Sequence, residues 1–359
     1  MNTPYLFELS GELKDMPRDE AFRTVLTESD GQCRVRREGP GYLVMSFPGD
    51  CLDPVAGRLA LTHTIGRSLG SFDPADLSGA ADIELPAGTF AIRHKRVGGM
   101  MPEVDSQQTI RRLGGLLSKK NQVDLHEPDH IVRMLMSDRI ELFLEEKVFD
   151  YDLLKKRKVS ERPFFSPISL HPKYARALIN LTGVARGGTV LDPFCGTGGI
   201  AIEAADMGMK AMVSDFDPEM VAGCRENMEF YHLKLADYET ADVGDIADRF
   251  GQVDAIACDP PYGRSTKTGG ENIDHIYKRA LDVFPRTLTD RGRAGVVLPH
   301  VFETDSMNLE HVYTQYVHGS LSRHYTYLPT DRERTDSAFF SICSDRQAAD
   351  EQLFQCASI

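Results

Sequence analysis

The chain has 359 residues, which is enough for two or three domains with separate hydrophobic cores. Its formal net charge of −13 excludes a protein that binds nucleic acid over its whole surface, but it leaves room for a basic patch on one face. The seven cysteines form no CxxC pair and no apolar run approaches membrane length, so we expect a cytoplasmic protein with no membrane contact, no disulfide framework and no metal site.

The first segment of the chain predicts a small α+β module whose role the pattern does not reveal. Apolar runs predict strands over residues 5–9 and 42–47, with a helix over residues 19–27 between them. Helical spacing then predicts a second helix over residues 53–69, which Gly70 would end.

Residues 93–120 reverse the sign of the chain's charge. They carry seven basic residues against two acids, as a surface that faces phosphates requires. The alternative is a solvated helix face, which charge clusters usually form. A second basic run, residues 155–158, lies where a linker is predicted. The candidate RNA-binding residues are Arg93, Lys95, Arg96, Arg111, Arg112, Lys119, Lys120, Lys155, Lys156, Arg157 and Lys158.

Residues 190–208 predict a strand, a tight loop and a helix, and they read VLDPFCGTGGIAIEAADMG. Asp192 ends the strand, at the edge where open α/β sheets bind ligands. Gly196 and Gly198 let the backbone turn sharply and approach a bound molecule. The loop has neither a Lys-Ser/Thr pair nor a strict G-x-G-x-x-G, which disfavours a phosphate cradle and a dinucleotide site. The Asp192 carboxylate suits the ammonium group of S-adenosylmethionine instead.

Two later segments extend this predicted cofactor site. Residues 211–215 predict a strand that ends in Asp215, about 20 residues after the loop, where Rossmann-like sites bind ribose. Phe216 would form an apolar wall for adenine, and Asp245 would accept a hydrogen bond from the adenine amine. The full candidate cofactor set is Asp192, Phe194, Gly196, Thr197, Gly198, Asp215, Phe216, Asp245, Ile246 and Asp259.

A third predicted strand, residues 253–258, runs into the sequence DPPYG. A nucleobase amine is a poor nucleophile, so an enzyme that methylates it must accept hydrogen bonds from its N–H groups. The Asp259 carboxylate and the Pro260 carbonyl are such acceptors, and the Tyr262 ring offers a stacking face. The alternative is a rigid turn, which Pro and Gly favour anywhere. The candidate catalytic residues are Asp259, Pro260, Pro261 and Tyr262.

The remaining pattern predicts an α/β fold of Rossmann-like type, with a mostly parallel seven-stranded sheet and a C-terminal hairpin. A helix is predicted over residues 218–230 and a strand over residues 295–299. Residues 320–328 and 337–343 are predicted to pair as the hairpin. The polar residues 264–272 predict a mobile loop beside DPPYG.

The order DPFCGTGG, SDFDPEM and DPPYGRS resembles the amino-directed methyltransferases of nucleic acids. More narrowly, it resembles the archaeal tRNA guanine-10 N2-methyltransferase family, in which a THUMP RNA-binding domain precedes a class I methyltransferase domain. The resemblance implies S-adenosylmethionine as the cofactor, tRNA as the partner and one or two methyl transfers to N2 of guanine 10. The implied division is an N-terminal module over residues 1–55, a THUMP-like domain over 56–150, a basic linker over 151–165 and the methyltransferase domain over 166–359.

Three alternatives stay open at this point. An adenine-N6 or cytosine-N4 DNA methyltransferase would use the same chemistry, and a non-catalytic RNA-binding scaffold could keep the same fold. A small-molecule or protein-glutamine methyltransferase is a third alternative, although such enzymes often carry Asn-Pro-Pro-Tyr. Cys195 lies inside the cofactor loop and is interpreted as a packing residue, so we expect direct transfer without a covalent intermediate. We expect a monomer, and a small activator subunit, which the resemblance includes, stays open.

Overall fold

The computed structural model describes residues 2–118, 121–166, 169–262, 270–302, 306–307, 309–318 and 321–329. They form two β-sheets, each packed against helices. The strands of the first sheet are β1 Asn2–Leu9, β2 Arg34–Gly39, β3 Tyr42–Pro48, β4 Thr62–Phe72, β5 Thr89–Arg96, β6 Gln122–Val123, β7 His130–Met136 and β8 Ile140–Val148. The helices of this half are α1 Met16–Glu28, α2 Leu52–Ala56 and α3 Ser106–Leu117. The strand order is β2-β3-β1-β4-β8-β7-β5-β6.

The helix predicted over residues 53–69 is wrong. Only its first residues are helical, in α2, and the segment from Thr62 onward belongs to β4. Thr62, Thr64 and Ile65 are β-branched, and β4 pairs antiparallel with β1 on one side and with β8 on the other. At Gly66 the backbone of β8 comes so close that a Cβ would collide with it. Hydrogen bonding to strands on both sides therefore decides the conformation of this segment, against the helix that the spacing of its apolar residues predicted.

The first sheet carries two hydrophobic cores. The predicted elements over residues 5–9, 19–27 and 42–47 are confirmed as β1, α1 and β3, and they enclose the first core. The second core lies between α3 and the strands β5, β7 and β8. Since β4 pairs with β1 and with β8, one continuous sheet joins the segments on either side of the predicted boundary at residue 55, and this boundary stays a prediction.

The second sheet has the order β11-β10-β9-β12-β13-β15-β14. The helices of this half are α4 Asp152–Lys155, α5 Pro172–Thr182, α6 Gly199–Asp206, α7 Pro218–Phe230, α8 Ile246–Phe250 and α9 Ile273–Thr287. The strands are β9 Thr189–Asp192, β10 Lys210–Asp215, β11 Asp237–Thr240, β12 Val253–Cys258, β13 Leu288–Leu298, β14 His311–His318 and β15 Leu321–Pro329. The pairings among β9–β13 are parallel, whereas β15 runs antiparallel to β13 and to β14. This confirms the predicted Rossmann-like sheet with a C-terminal hairpin.

The hairpin differs in its partners from the prediction. The strand predicted over residues 320–328 is confirmed from Leu321 onward as β15, but it pairs with β14, which the pattern did not indicate. The predicted strand over residues 337–343 lies outside the described residues. So do residues 263–269, which make up most of the predicted mobile loop. None of the helices in the described ranges is both long enough and apolar enough to cross a membrane.

A buried polar network joins the two halves of the molecule where α1 packs on α5. Glu20 of α1 is fully buried and accepts hydrogen bonds from the backbone N–H groups of Ala60 at 2.9 Å and Leu61 at 2.8 Å. It also accepts from Asn180 Nδ2 of α5 at 2.9 Å. Arg58 Nε donates to Asn180 Oδ1 at 3.1 Å, and this arginine is also fully buried. The network fixes the first sheet against the second through directional bonds.

Candidate active site

A cavity of about 470 Å³ opens at the carboxyl ends of β9, β10 and β12. Its volume lies within the range of small-molecule sites, and its position is where open α/β sheets bind ligands. Asp192, Asp215 and Asp259, which end or follow these three strands, all line it. The adjacent strands therefore bring together three carboxylates that are far apart in the chain.

Asp192 is the most deeply buried of these acids, with 3% of its surface exposed. It accepts a hydrogen bond from the Phe194 N–H at 3.2 Å. Burial raises the pKa of Asp192 well above its usual value, and the nearby carboxylates of Asp215 and Asp259 raise it further. A ligand cation at this position would lower that pKa and relieve the repulsion. The site thus fits the ammonium group of an amino-acid moiety.

The glycine loop after β9 takes its shape from close packing. Gly198 has φ +80°, and a Cβ there would stand 2.6 Å from Cys224 Sγ. Gly196 has φ +47° and donates its N–H to Asp215 Oδ2 at 3.0 Å. Cys195 is buried in the same core cluster as Cys224, in keeping with the packing role predicted for it. The loop therefore needs glycine at both positions. Gly198 is required by its positive φ and by the lack of space for a Cβ, and Gly196 by its positive φ.

Arg162, which was not among the predicted site residues, also holds this loop. Arg162 is buried, and its Nη1 donates to Thr197 Oγ1 at 2.9 Å and to Ser169 Oγ at 3.3 Å. Thr197 itself lines the cavity with 4% of its surface exposed. A basic residue in a polar linker gave no signal that its side chain would be buried.

Asp215 and Phe216 lie together at the end of β10. Burial raises the pKa of Asp215, whereas hydrogen bonds from the backbone N–H groups of Asp217 and Gly196 lower it. Phe216 keeps 44% of its surface exposed and lines the cavity together with Met220 of α7. The pair thus presents an acceptor next to an apolar face.

The structure does not bring Asp245 and Ile246 of the predicted cofactor set to the cavity. Ile246 is fully buried in the core under α9, and Asp245 is exposed and does not line the cavity. Asp242 lines it instead, and it accepts hydrogen bonds from the Gly244 N–H at 2.8 Å and from Arg279 Nη2 at 3.0 Å. Because Asp242 is the first acid after β11, the strand-end rule that found Asp192 and Asp215 points to it.

The DPPY segment follows β12 and forms one wall of the cavity. The Tyr262 hydroxyl donates a hydrogen bond to Asp259 Oδ1, and the Tyr277 hydroxyl of α9 donates to the Pro261 carbonyl at 2.5 Å. Pro260 is buried and Asp259 is half-buried. Burial raises the pKa of Asp259, while the guanidinium of Arg323 and the bond from Tyr262 lower it.

Three residues at this wall were not predicted. Glu271 and Arg279 line the cavity and pair with each other at 2.7 Å, which ties the start of α9 to Asp242. Arg323 lies on β15 with its Cζ 6.0 Å from the ring centroid of Tyr262. No local motif marks these positions, because α9 and the residues just before it bring Arg279 and Glu271 to the site and the sheet order brings Arg323.

The candidate RNA-binding residues separate into three groups. The exposed ones are Arg93, Lys95, Arg111, Arg112, Lys155 and Lys156, and Lys158 is half-exposed. Arg96 donates to the backbone carbonyls of Met100 and Val104, and Arg157 forms a bidentate pair with Glu203 at 2.8 and 3.0 Å. Lys119 and Lys120 lie outside the described residues. The guanidinium of Arg157 thus holds the linker on α6, and the RNA contacts of this set stay predictions.

Comparison with known proteins agrees with this architecture. The family model described as "UPF0020: RMKL-like, methyltransferase domain" matches residues 160–323. The crystal structure of TrmN from Thermus thermophilus superimposes with a TM-score of 0.50 at 23% identity, covering 91% of this chain and all of that one. The structure of SMU.472 complexed with SAH gives a TM-score of 0.51 at 17% identity, covering 93% of this chain and 99% of that one. At these identities the likeness concerns the fold.

Relatives by sequence narrow the assignment. The tRNA (guanine(10)-N2)-dimethyltransferase of Methanothermobacter thermautotrophicus is 34% identical over 328 residues, which cover 88% of this chain and 96% of that protein. The protein of the same description from Pyrococcus abyssi is 36% identical over 284 residues, covering 75% of this chain and 84% of that protein. The chain therefore belongs to the tRNA (guanine(10)-N2)-dimethyltransferase family.

Proposed function

We propose that the protein transfers methyl groups from S-adenosylmethionine to the 2-amino group of a guanine in tRNA. The observation that carries the proposal is the position of the Asp259 carboxylate and the Pro260 segment on the wall of a cavity whose floor is the buried Asp192. An acceptor for a base amine thus lies beside an acceptor for a ligand ammonium. The relatives named for guanine 10 support position 10 as the target, with mono- or dimethylguanosine as the product.

Four parts of the cavity would hold the cofactor. Asp192 would accept from the ammonium group, Asp215 would accept from the ribose hydroxyls, and Phe216 would pack on adenine. Asp242 takes the role that the sequence pattern gave to Asp245, because it lines the cavity and its bonds from Gly244 and Arg279 leave one lone pair of Oδ2 for the adenine amine. When bound, S-adenosylmethionine supplies a methyl group activated by an adjacent sulfonium charge.

The residues of the DPPY segment would act on the target base, meaning the guanine that receives the methyl group. Asp259 and Pro260 accept hydrogen bonds from the amine, which stabilises the positive charge that develops on nitrogen during transfer. Tyr262 stacks on the base after it leaves its helix, a contact worth about 1–3 kcal/mol. Burial raises the pKa of Asp259, which suits this carboxylate to take the proton that the methylated amine releases.

The first sheet would bind the rest of the tRNA. We assign residues 56–150 to a THUMP-like region, with residues 1–55 as an adjoining module, 151–165 as a linker and 166–359 as the catalytic domain. The exposed basic side chains of the first sheet and the linker would contact phosphates, and the network around Glu20 and Asn180 would keep them at a fixed distance from the cavity.

The proposal is tested by measuring the transfer of labelled methyl to two tRNA transcripts. One is the normal tRNA, and the other has inosine in place of guanine 10. Inosine lacks only the 2-amino group. Labelling of the normal tRNA alone is the expected result. Equal labelling of both would refute transfer to the 2-amino group at position 10. Labelling of duplex DNA, with none of either tRNA, would favour a DNA methyltransferase.

A further inference from the structure

Arg323 brings a basic side chain to the DPPY segment, and the proposed methyl transfer does not use it. Its guanidinium carbon lies 6.0 Å from the ring centroid of Tyr262. It is close enough to Asp259 to lower the pKa of that carboxyl. Within the described ranges, its Nε is buried and has no hydrogen-bond partner. A buried donor left unpaired costs about 1–3 kcal/mol, so this nitrogen is a candidate for a ligand acceptor.

The position of Arg323 is set by the sheet rather than by a loop. It lies opposite Gln315 of β14, and its neighbour His324 lies opposite Leu298 of β13. Tyr325, on the same face two residues later, is fully buried and donates to Gln315 Oε1 at 2.7 Å. Both flanking strands therefore fix the backbone of Arg323, as a site that reads a base edge requires.

The edge of guanine that carries the 2-amino group has a distinct pattern of donors and acceptors. N1–H and the 2-amino group are donors, and O6 beyond them is an acceptor. The Asp259 carboxylate can only accept hydrogen bonds, and a guanidinium can only donate them. The two side chains together match guanine, whereas adenine would turn a ring-nitrogen lone pair toward the carboxylate and an amine toward the guanidinium.

We propose that Arg323 is a specificity residue that donates a hydrogen bond to O6 of the target guanine while Asp259 accepts from its amine. This inference rests on the proposed function, since it concerns the base in the same site. In the major groove of DNA, arginine bonded to the O6 and N7 acceptors of guanine is the commonest specific contact, which shows that a guanidinium suits O6. The residue would thus select guanine and, through its charge, favour the ionised form of Asp259.

Two base analogues at the target position separate these roles. 2-Aminopurine and 2,6-diaminopurine both keep the 2-amino group, and both have an unprotonated N1. They differ only at position 6, where the first carries hydrogen and the second an amine. Methyl transfer to tRNAs carrying guanine or either analogue is measured as kcat/KM for the full-length wild-type protein and for Arg323→Gln and Arg323→Lys. Arg286→Gln, on the exposed face of α9, is the matched control.

In the wild type and the control, we expect kcat/KM to be highest with guanine, lower with 2-aminopurine and lowest with 2,6-diaminopurine. The value for 2,6-diaminopurine should be about ten- to hundredfold below that for 2-aminopurine. In Arg323→Gln the kcat/KM values for 2-aminopurine and 2,6-diaminopurine should differ by less than about threefold, and in Arg323→Lys the difference should be intermediate. If Arg323→Gln keeps the wild-type ratio, or lowers transfer to all three bases by one common factor, the inference is overturned. If wild-type protein does not methylate the guanine tRNA, the proposed function fails instead.

Discussion

The Tyr262 hydroxyl donates a hydrogen bond to Asp259 Oδ1, so the two side chains that would serve the target base are bonded to each other. The hydroxyl uses one lone pair of this oxygen, so the carboxylate keeps acceptor sites on both oxygens for a base amine. The ring and the hydroxyl of Tyr262 therefore have separate roles, since the ring would stack on the base and the hydroxyl acts on the carboxylate.

Tyr262→Phe should separate these effects. The bond from the hydroxyl lowers the pKa of Asp259 against the effect of burial, so its loss should raise that pKa. Activity that needs the ionised carboxylate should then fall at a higher pH than in the wild type, while activity on the alkaline plateau stays within about threefold. The measurement is kcat/KM against pH. Tyr262→Ala, which also loses the ring, should lose about ten- to hundredfold at every pH. An unshifted acidic limb in Tyr262→Phe would contradict this role of the hydroxyl.

Binding of S-adenosylmethionine should weaken as the pH falls. Burial raises the pKa of Asp192 well above its usual value, so acidification protonates it earlier than an exposed aspartate and removes the charge that the ammonium needs. Calorimetry should show the dissociation constant rising toward acidic pH. Asp192→Asn should raise it about ten- to hundredfold and remove this pH dependence. Asp245→Asn is the control, because this exposed residue does not line the cavity. Equal weakening in both variants would argue against the assignment of Asp192.

Gly198→Ala should lower the free energy of unfolding by about 2–4 kcal/mol. The substitution strains a backbone with φ +80°, and it places a Cβ 2.6 Å from Cys224 Sγ. Gly114→Ala is the matched control, because Gly114 lies within α3 and a Cβ there has nothing within 4 Å. The control should gain about 0.5–1 kcal/mol from helix propensity. Urea denaturation measures both values, and a stable Gly198→Ala protein would show that the loop can rearrange.

Stability should depend on the pH through Glu20. Burial raises its pKa from 4.5 to about 7, against the effect of hydrogen bonds from Asn180, Ala60 and Leu61. Since the pKa is higher in the folded state, the contribution is fully present below pH ~4.5 and is lost as the pH rises through about 7. The lost stability should be about 3 kcal/mol. Glu20→Gln cannot titrate, so its unfolding free energy should vary less over this interval, although its amide would face N–H donors and lower stability overall. Parallel curves for the two proteins would contradict the prediction.

The site residues that could be predicted from the sequence are those whose position is marked by the residues next to them in the chain. Asp192, Asp215 and DPPY each follow a short apolar run, so strand ends could be located from the pattern alone. The same logic did not lead to Asp242, because β11 is mostly exposed and its end carries no apolar signal. The helix predicted over residues 53–69 failed because the pairing of β4 with β1 and β8 is decided by residues far away in the chain.

The parts of the site that could not be predicted depend on sheet order. Arg323 reaches Asp259 because β15 lies next to β13, and this adjacency has no signature near either residue. Arg157 and Arg162 look like ordinary linker charges, yet they pair with Glu203 and Thr197 inside the structure. Charge counting can locate a basic segment, but it cannot tell which guanidinium groups are already used by the fold.

Comparison of wild-type protein with Asp259→Asn tests the central claim most directly, with cofactor affinity and tRNA methylation measured on the same preparations. The amide keeps the shape of the carboxylate but loses its charge. We predict that S-adenosylmethionine binds both proteins within about threefold, while methylguanosine in nuclease digests of the tRNA falls about 10²–10³-fold in the variant. Unchanged methylation would contradict the assignment of Asp259 to the target base, and an equal loss of cofactor binding would place its role on the cofactor side of the cavity.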